Sequence, residues 1–269
     1  MTIATSVESF VDVARLDVSL PRRHVEVAVG GRQFLLETLD NIDAAVALSF
    51  AARRREKRAQ AASEAASIVT HPNELAPHFG VVWPAAVQLA QWWSAVVVDG
   101  KISAQHLQGF VAHDIRVQSS LELGCGLGVP SLLLAHLGVS SVLATDRHPL
   151  AGAVLRRNAE DNSCCVEFCE LDWRRMVADP TRIPSSVSDR DLIIGSDLLY
   201  EPWQPSYLAT ALAQVTRPGA LVVITDAGRR YFSEFVRSLA DAGFRTRLLC
   251  LDEFFGGASI LRILLAMRR

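Results

Sequence analysis

The sequence carries no excess of charge: 27 Lys and Arg stand against 29 Asp and Glu, a formal net charge of −2. A chain so balanced has no global pull toward nucleic acid or an anionic membrane surface. Cysteine is scarce and odd in number, five in 269 residues, and no spacing suggests a disulfide framework. A reducing compartment is therefore expected, and with it a cytoplasmic location. The opening stretch MTIATSVESFVDVARLDV lacks a basic segment followed by an apolar core, so no secretion signal is expected. Internal repeats and low-complexity segments are also missing. One uncharged apolar run, Val81 to Val98, is long enough to be weighed as a membrane span. Pro84 breaks it near its start, and Gln88, Gln91 and Ser94 would be costly in lipid. It reads instead as a mostly buried helix beginning near Pro84, and no membrane partner is expected.

A chain of this length buries roughly 70–75 % of its unfolded surface and needs neither disulfide nor metal to be stable. Cys165 and Cys169 share one face of an expected strand but lie about 13 Å apart. Zinc ligands must sit about 2.3 Å from one metal, so this pair cannot form a site alone. Cys164 points to the other face, and Cys125 serves as a small residue in a loop. No metal is expected.

Two regions differ in character. HVEVAVGGRQFLLETL, from His24 to Leu39, alternates and turns at Gly30-Gly31, which reads as a β-hairpin. Ile42 to Val69 is rich in Ala, Arg and Glu without Gly or Pro, and should form one long helix. Its basic run RRREKR, Arg53 to Arg58, lacks the interleaved aromatics of a nucleic-acid surface and reads as a solvated helix face. THPNELAPHFG, Thr70 to Gly80, is a linker. From Ser119 onward, strands at Leu121, Ser141–Thr145, Cys164–Leu171, Asp191–Gly195 and Ala220–Thr225 alternate with helices at Val129–Leu137, Leu150–Asp161 and Pro205–Thr216. Strands this apolar, joined by helices, imply a parallel sheet covered on both faces. After a helix at Tyr231–Ala242, FRTRLLCL and SILRILLAMRR are separated only by DEFFGGA, too short for a parallel crossover. The last two strands should pair antiparallel. The expected division is an extension over residues 1–79 and a main domain over 80–269.

The function is concentrated in LELGCGLGVPSLLLAHLGVSSVLATD, Leu121 to Asp146. A strand that ends in a tight glycine turn and enters a helix places backbone N–H groups and the positive helix end beside a ligand. Gly124, Gly126 and Gly128 allow the turn where a Cβ would obstruct it. Asp146, roughly twenty residues past Gly126 at the end of the next strand, is placed to accept hydrogen bonds from ribose hydroxyls. A nucleoside-containing cofactor follows. Glu122, two residues ahead of Gly124, would repel a pyrophosphate and attract an ammonium. With the antiparallel final pair, this favours S-adenosylmethionine over a nicotinamide dinucleotide.

These stretches resemble the seven-β-strand (class I) S-adenosylmethionine-dependent methyltransferases, and within them methyltransferase family 16, the protein-lysine methyltransferases. The likeness rests on VWPAAVQLAQW (Val82 to Trp92), LELGCGLG (Leu121 to Gly128), LDW (Leu171 to Trp173) and SDLLY (Ser196 to Tyr200), in that order. DAGRRYF (Asp226 to Phe232) also looks like a segment of the branch that methylates the electron transfer flavoprotein β-subunit. The resemblance implies a Rossmann-like α/β fold: a seven-stranded, mostly parallel sheet with an antiparallel last strand, preceded here by the hairpin and long helix. It places Trp83 in the cofactor pocket, Asp172 and Trp173 against the adenine ring, and Ser196 on the cofactor side. Asp197 and Tyr200 become the substrate-side, catalytic pair, with Pro202, Trp203, Pro205 and Tyr207 in the loop beyond. Asn158 sits on a helix over the cofactor side without an assigned role, and no histidine is placed by sequence to act as a base.

The implied activity is N-methylation of a lysine side chain presented by a protein partner, with Asp197 holding and aiming the amine. A small-molecule methyl acceptor and a catalytically inactive cofactor-binding protein are the alternatives. Nucleic-acid adenine methylation is not expected, since SDLLY stands where an Asn-Pro-Pro-Tyr-type motif would be.

Overall fold

The computed structural model describes residues 21–41, 78–249 and 261–268. Contacts divide the chain into two units, Met1–Arg23 with Leu39–Pro77, and His24–Thr38 with His78–Arg269. The larger unit holds the elements below, apart from the hairpin's end residues Arg22, Arg23 and Leu39. The expected long helix at Ile42–Val69, with its Arg53–Arg58 run, lies outside the described residues, as does most of the Thr70–Gly80 linker.

The hairpin forms where the alternation predicts it, with β1 (Arg22–Val29) and β2 (Arg32–Leu39) joined at Gly30-Gly31. Both turn glycines have positive φ, +57° and +77°, as a two-residue turn of this hand requires. The apolar run near Pro84 becomes α1 (Pro84–Val96), with Pro84 at the first helical position, where its missing N–H costs nothing. Trp92 and Trp93 of α1 are almost fully buried. Among the described residues, no helix is long and apolar enough to cross a membrane.

A small antiparallel sheet follows, β3 (Val97–Val98), β4 (Lys101–Ile102) and β5 (Ile115–Arg116). The main sheet is built from β6 (Ser119–Leu123), β7 (Ser141–Asp146), β8 (Glu167–Glu170), β9 (Leu192–Ser196), β10 (Leu221–Asp226), β11 (Phe244–Leu249) and β12 (Arg262–Arg268). Its helices are α2 (Val129–His136), α3 (Ala151–Asp161), α4 (Trp173–Ala178), α5 (Gln204–Val215) and α6 (Phe232–Asp241). The seven strands lie in the order β11-β12-β10-β9-β6-β7-β8. β12 runs antiparallel to both neighbours, and the pairs from β10 to β8 are parallel. The Rossmann-like sheet with an antiparallel last strand is thus borne out.

Burial on both faces explains why the strands are apolar without alternation. Leu192, Ile194, Leu221 and Val223 pack on the side of α1, α2 and the hairpin. Their neighbours Ile193, Val222 and Ile224 pack on the side of α4, α5 and α6. The order also locates the ligand crevice. The chain leaves β6 toward β7 on one side and returns to β9 on the other, so the crevice opens at the carboxyl ends of β6 and β9.

Candidate active site

The glycine turn follows β6 directly. Gly126 and Gly128 have φ of +54° and +80°, a left-handed region that L side chains rarely adopt. A Cβ on Gly128 would stand 2.1 Å from Leu155 Cδ1, and one on Gly126 3.2 Å from the Phe79 carbonyl. Backbone conformation and protein packing therefore demand these glycines, before any ligand is considered. Gly124 is closed from the other side, where its Cβ would meet Leu198 Cδ2 at 2.6 Å. That contact brings the SDLLY turn against the glycine turn.

Asp146 ends β7, and its carboxylate accepts from Gly126 N at 3.1 Å and His148 N at 2.8 Å. A carboxylate offers about four acceptor positions, so room remains for a ligand hydroxyl. Burial pushes its pKa up against these hydrogen bonds. Glu122 is buried in β6 and accepts from both the backbone N–H and the hydroxyl of Ser131 in α2. Its other oxygen, Oε1, is buried without a hydrogen-bond partner. This unpartnered oxygen beside the turn would accept from a donor on an amino-acid-bearing cofactor when the carboxyl is ionised, and would carry the proton when it is neutral.

Burial also raises the Glu122 pKa to about 8, opposed by the Ser131 hydrogen bonds. The carboxyl is therefore mostly neutral near pH 7, which weakens the charge argument drawn from its position in sequence. The folded state holds this proton more tightly than the unfolded chain. The associated stability is full below the ordinary carboxylate range and is lost as pH rises through about 8. Glu122→Gln mimics the protonated form. Its stability relative to wild type, read from melting, should rise between about pH 5 and pH 8, on the order of 1 kcal/mol per pH unit. Parallel melting curves of both proteins at all pH values would contradict this.

Trp83 precedes α1, and its indole N–H donates to the His78 carbonyl at 2.9 Å. Asp172 is the N-cap of α4: it accepts from Arg174 N at 2.9 Å and pairs with the Arg174 guanidinium at 3.2 Å. Trp173 is nearly buried, 6.5 Å from the Trp203 ring. Trp203 in turn meets Tyr207 edge-on at 5.8 Å. The guanidinium carbons of Arg174 and Arg147 lie 4.9 and 5.8 Å from the Trp203 ring. Arg147 Nη1 is buried without a hydrogen-bond partner.

Ser196 closes β9, and Asp197 follows with φ +58°. A non-glycine residue in this conformation is uncommon and concentrates at functional sites. Its backbone N–H donates to the Thr225 carbonyl at 2.8 Å. The Asp197 carboxylate is gripped by both donors of Arg229, at 2.6 and 2.7 Å, with its side chain 5 % exposed. Arg229 also lies over the Tyr200 ring, 5.9 Å from its centroid. Asp226 at the end of β10 accepts from Arg229 N at 2.6 Å. Its second oxygen is buried without a partner, and burial, then Asp197, raises its pKa. Tyr200 N donates to Gln204 Oε1 at 2.7 Å, and burial raises the phenol's pKa.

His78 completes the cluster, edge-on to Tyr200 at 5.8 Å and tilted against Trp83 at 6.3 Å. Burial, then Arg147, pushes its pKa below the usual histidine range, so the imidazole is neutral near pH 7. Sequence reasoning did not find His78, Arg147 or Arg229 as site residues. Arg147 directly follows Asp146, and Arg229 falls in the DAGRRYF segment, so adjacency to those motifs was the available signal. Asp197, Tyr200, Trp83 and the glycine turn are brought together at one sheet edge. Among the described residues no His, Cys, Asp and Glu group is arranged to hold a metal.

Residues 70–241 match the lysine methyltransferase family, well over half the chain. A histone-arginine methyltransferase of Mus musculus is 28 % identical over 155 residues, 56 % of this chain and 53 % of that protein. An electron transfer flavoprotein beta subunit lysine methyltransferase of Danio rerio is 26 % identical over 159 residues, 59 % of this chain and 53 % of that protein. The chain thus spans about half the length of these curated relatives. Among solved structures, a 16S rRNA N2 G1207 methyltransferase of T. Thermophilus, in complex with AdoMet and guanosine, shares the fold. Its TM-score is 0.54 at 14 % identity, covering 93 % of this chain and 51 % of that one.

Proposed function

The chain belongs to the lysine methyltransferase family, and from that premise we propose that it transfers a methyl group from S-adenosylmethionine to a lysine side chain of a protein partner in the cytoplasm. One observation carries the reading: Leu198 of the SDLLY turn packs so closely under Gly124 that a Cβ there would lie 2.6 Å away. A ligand on the glycine turn and an acceptor at Asp197–Tyr200 would then share one crevice. We further propose residues 80–269 as the methyltransferase domain and 1–79 as its extension.

S-adenosylmethionine, when bound, supplies a methyl group already activated on a sulfonium. The proposed holders are Trp83, Glu122, the glycine turn, Asp146, Asp172, Trp173 and Ser196. What remains for the protein is alignment and exclusion of water. Before its nitrogen could accept that methyl group, the lysine ammonium must lose a proton. From an ordinary pKa near 10.4 that costs about 4–5 kcal/mol at pH 7. Arg147, which already disfavours protonation of His78, would disfavour a further cation in this cluster and so lower this cost, while the charge of Arg229 is offset by Asp197. Asp197, already held by Arg229, positions that cation and the turn, and it receives the amine only by sharing its carboxylate.

An arginine acceptor is the second reading, supported by the similarity to a histone-arginine methyltransferase. Incubation of a cell lysate with radiolabelled cofactor, followed by size separation, tests the class of acceptor. Label is expected on protein bands. Label confined to small molecules would favour the small-molecule alternative, and no label at all the inactive binding protein.

A further inference from the structure

Leu155 and Asn158 of helix α3 and its C-cap residue Asn162 fall on one stripe, Asn158 three and Asn162 seven residues beyond Leu155. Leu155 lies under Gly128. Asn158 is 0 % exposed and Asn162 is 6 % exposed, burial that polar side chains tolerate only when hydrogen-bonded. Their bonds run in two directions. Asn158 Oδ1 accepts from Glu37 N of β2 at 2.7 Å, while its Nδ2 donates to the Leu127 carbonyl of the glycine turn at 3.2 Å. One partner is a donor and the other an acceptor, which fixes the amide's orientation. Asn162 takes the edge of β2 as a strand would, accepting from Leu35 N at 2.9 Å and donating to the Leu35 carbonyl at 2.7 Å. Its Nδ2 also donates to the Asn158 carbonyl at 2.7 Å.

We infer that Asn158 is a positioning residue that couples docking of the N-terminal hairpin to the conformation of the cofactor-binding glycine turn. A two-stranded hairpin is marginal by itself; this one is held by Val29, Phe34 and Leu36 in the core and by the two asparagines along β2. Because the hairpin pairs with no strand of the main sheet, it can open locally while that sheet stays intact. When β2 lifts, Asn158 loses the partner of its oxygen, and the amide that fixes the Leu127 carbonyl is freed to rotate. The turn then loses the geometry a cofactor needs. Linkage makes the effect mutual: a cofactor that needs the ordered turn holds the hairpin down by the same factor.

The inference rests on the reading that S-adenosylmethionine binds at the glycine turn, and its test separates the two. Calorimetric titration of S-adenosylmethionine into the full chain is compared for wild type, Asn162→Ala and Asn158→Ala. Backbone hydrogen exchange of residues 24–38 is followed with and without the cofactor. Asn162→Ala touches only the hairpin and α3, yet it should weaken cofactor binding about threefold to tenfold; Asn158→Ala should weaken it more than tenfold. In wild type, cofactor should slow exchange in the hairpin severalfold, and Asn162→Ala should remove most of that protection. Wild-type affinity in folded Asn162→Ala, with hairpin exchange indifferent to cofactor, would overturn the coupling while leaving the cofactor site intact. Failure of wild type to bind S-adenosylmethionine would overturn the reading and the inference together. A purely structural asparagine would lower the melting temperature without changing the cofactor-dependent difference in exchange.

Discussion

A Gly126→Arg variant should fold and show no calorimetric binding of S-adenosylmethionine. Gly126 sits at φ +54°, where a side chain costs about 1–2 kcal/mol, and its Cβ would approach the Phe79 carbonyl at 3.2 Å and Cα at 3.6 Å. Neither is flexible, so the turn must shift. The shift disturbs the Gly126 N–H that Asp146 accepts at 3.1 Å. An arginine side chain would also project into the space between the turn and the sheet edge. The apolar sheet does not depend on that space, so secondary structure should survive, with melting lowered by a few degrees. Asp146→Ala removes an acceptor and the anchor of Gly126, and should weaken binding by about 1–3 kcal/mol. Wild-type affinity in both variants would remove the glycine turn from the cofactor site.

The second large effect is expected at Asp197. Asp197→Asn keeps a residue type that tolerates the left-handed conformation and keeps the backbone donor to Thr225. It loses the charge that holds Arg229 in two hydrogen bonds. Released from one side, the Arg229 guanidinium is no longer fixed over the Tyr200 ring. Methyl transfer should fall at least a hundredfold, the scale of losing one positioned charge-assisted contact at a reacting centre. Cofactor affinity, set on the glycine-turn side, should change by less than about threefold. Binding and single-turnover transfer measured on the same preparation separate the two. Full transfer by Asp197→Asn would leave Asp197 only as the seat of Arg229.

Gly30-Gly31 announced the hairpin because a two-residue turn requires positive φ, a local demand. The glycine turn and Asp146 were legible for the same reason: their conformations and spacing are written within one strand-turn-helix-strand unit. Final-strand direction followed from the length of DEFFGGA. The Asp197–Arg229 pair, in contrast, joins residues 32 apart across two neighbouring parallel strands, and no periodicity encodes it. Asn158 was placed on its helix but given no role, because its partners lie in β2 and the glycine turn. Glu122 was read as a charge facing a ligand; burial and Ser131, nine residues on, decide its state instead. Long-range polar pairing was the illegible part.

Whether the methyl group reaches a lysine on a protein is decided by residue-level mass spectrometry. Proteins from a lysate incubated with wild-type chain and S-adenosylmethionine carrying an isotopically labelled methyl group are digested and sequenced. The labelled methyl groups are expected on lysine side chains of one or a few proteins, and to vanish when Gly126→Arg or Asp197→Asn replaces the wild type. Label on arginine side chains, or on no protein at all, would contradict the account.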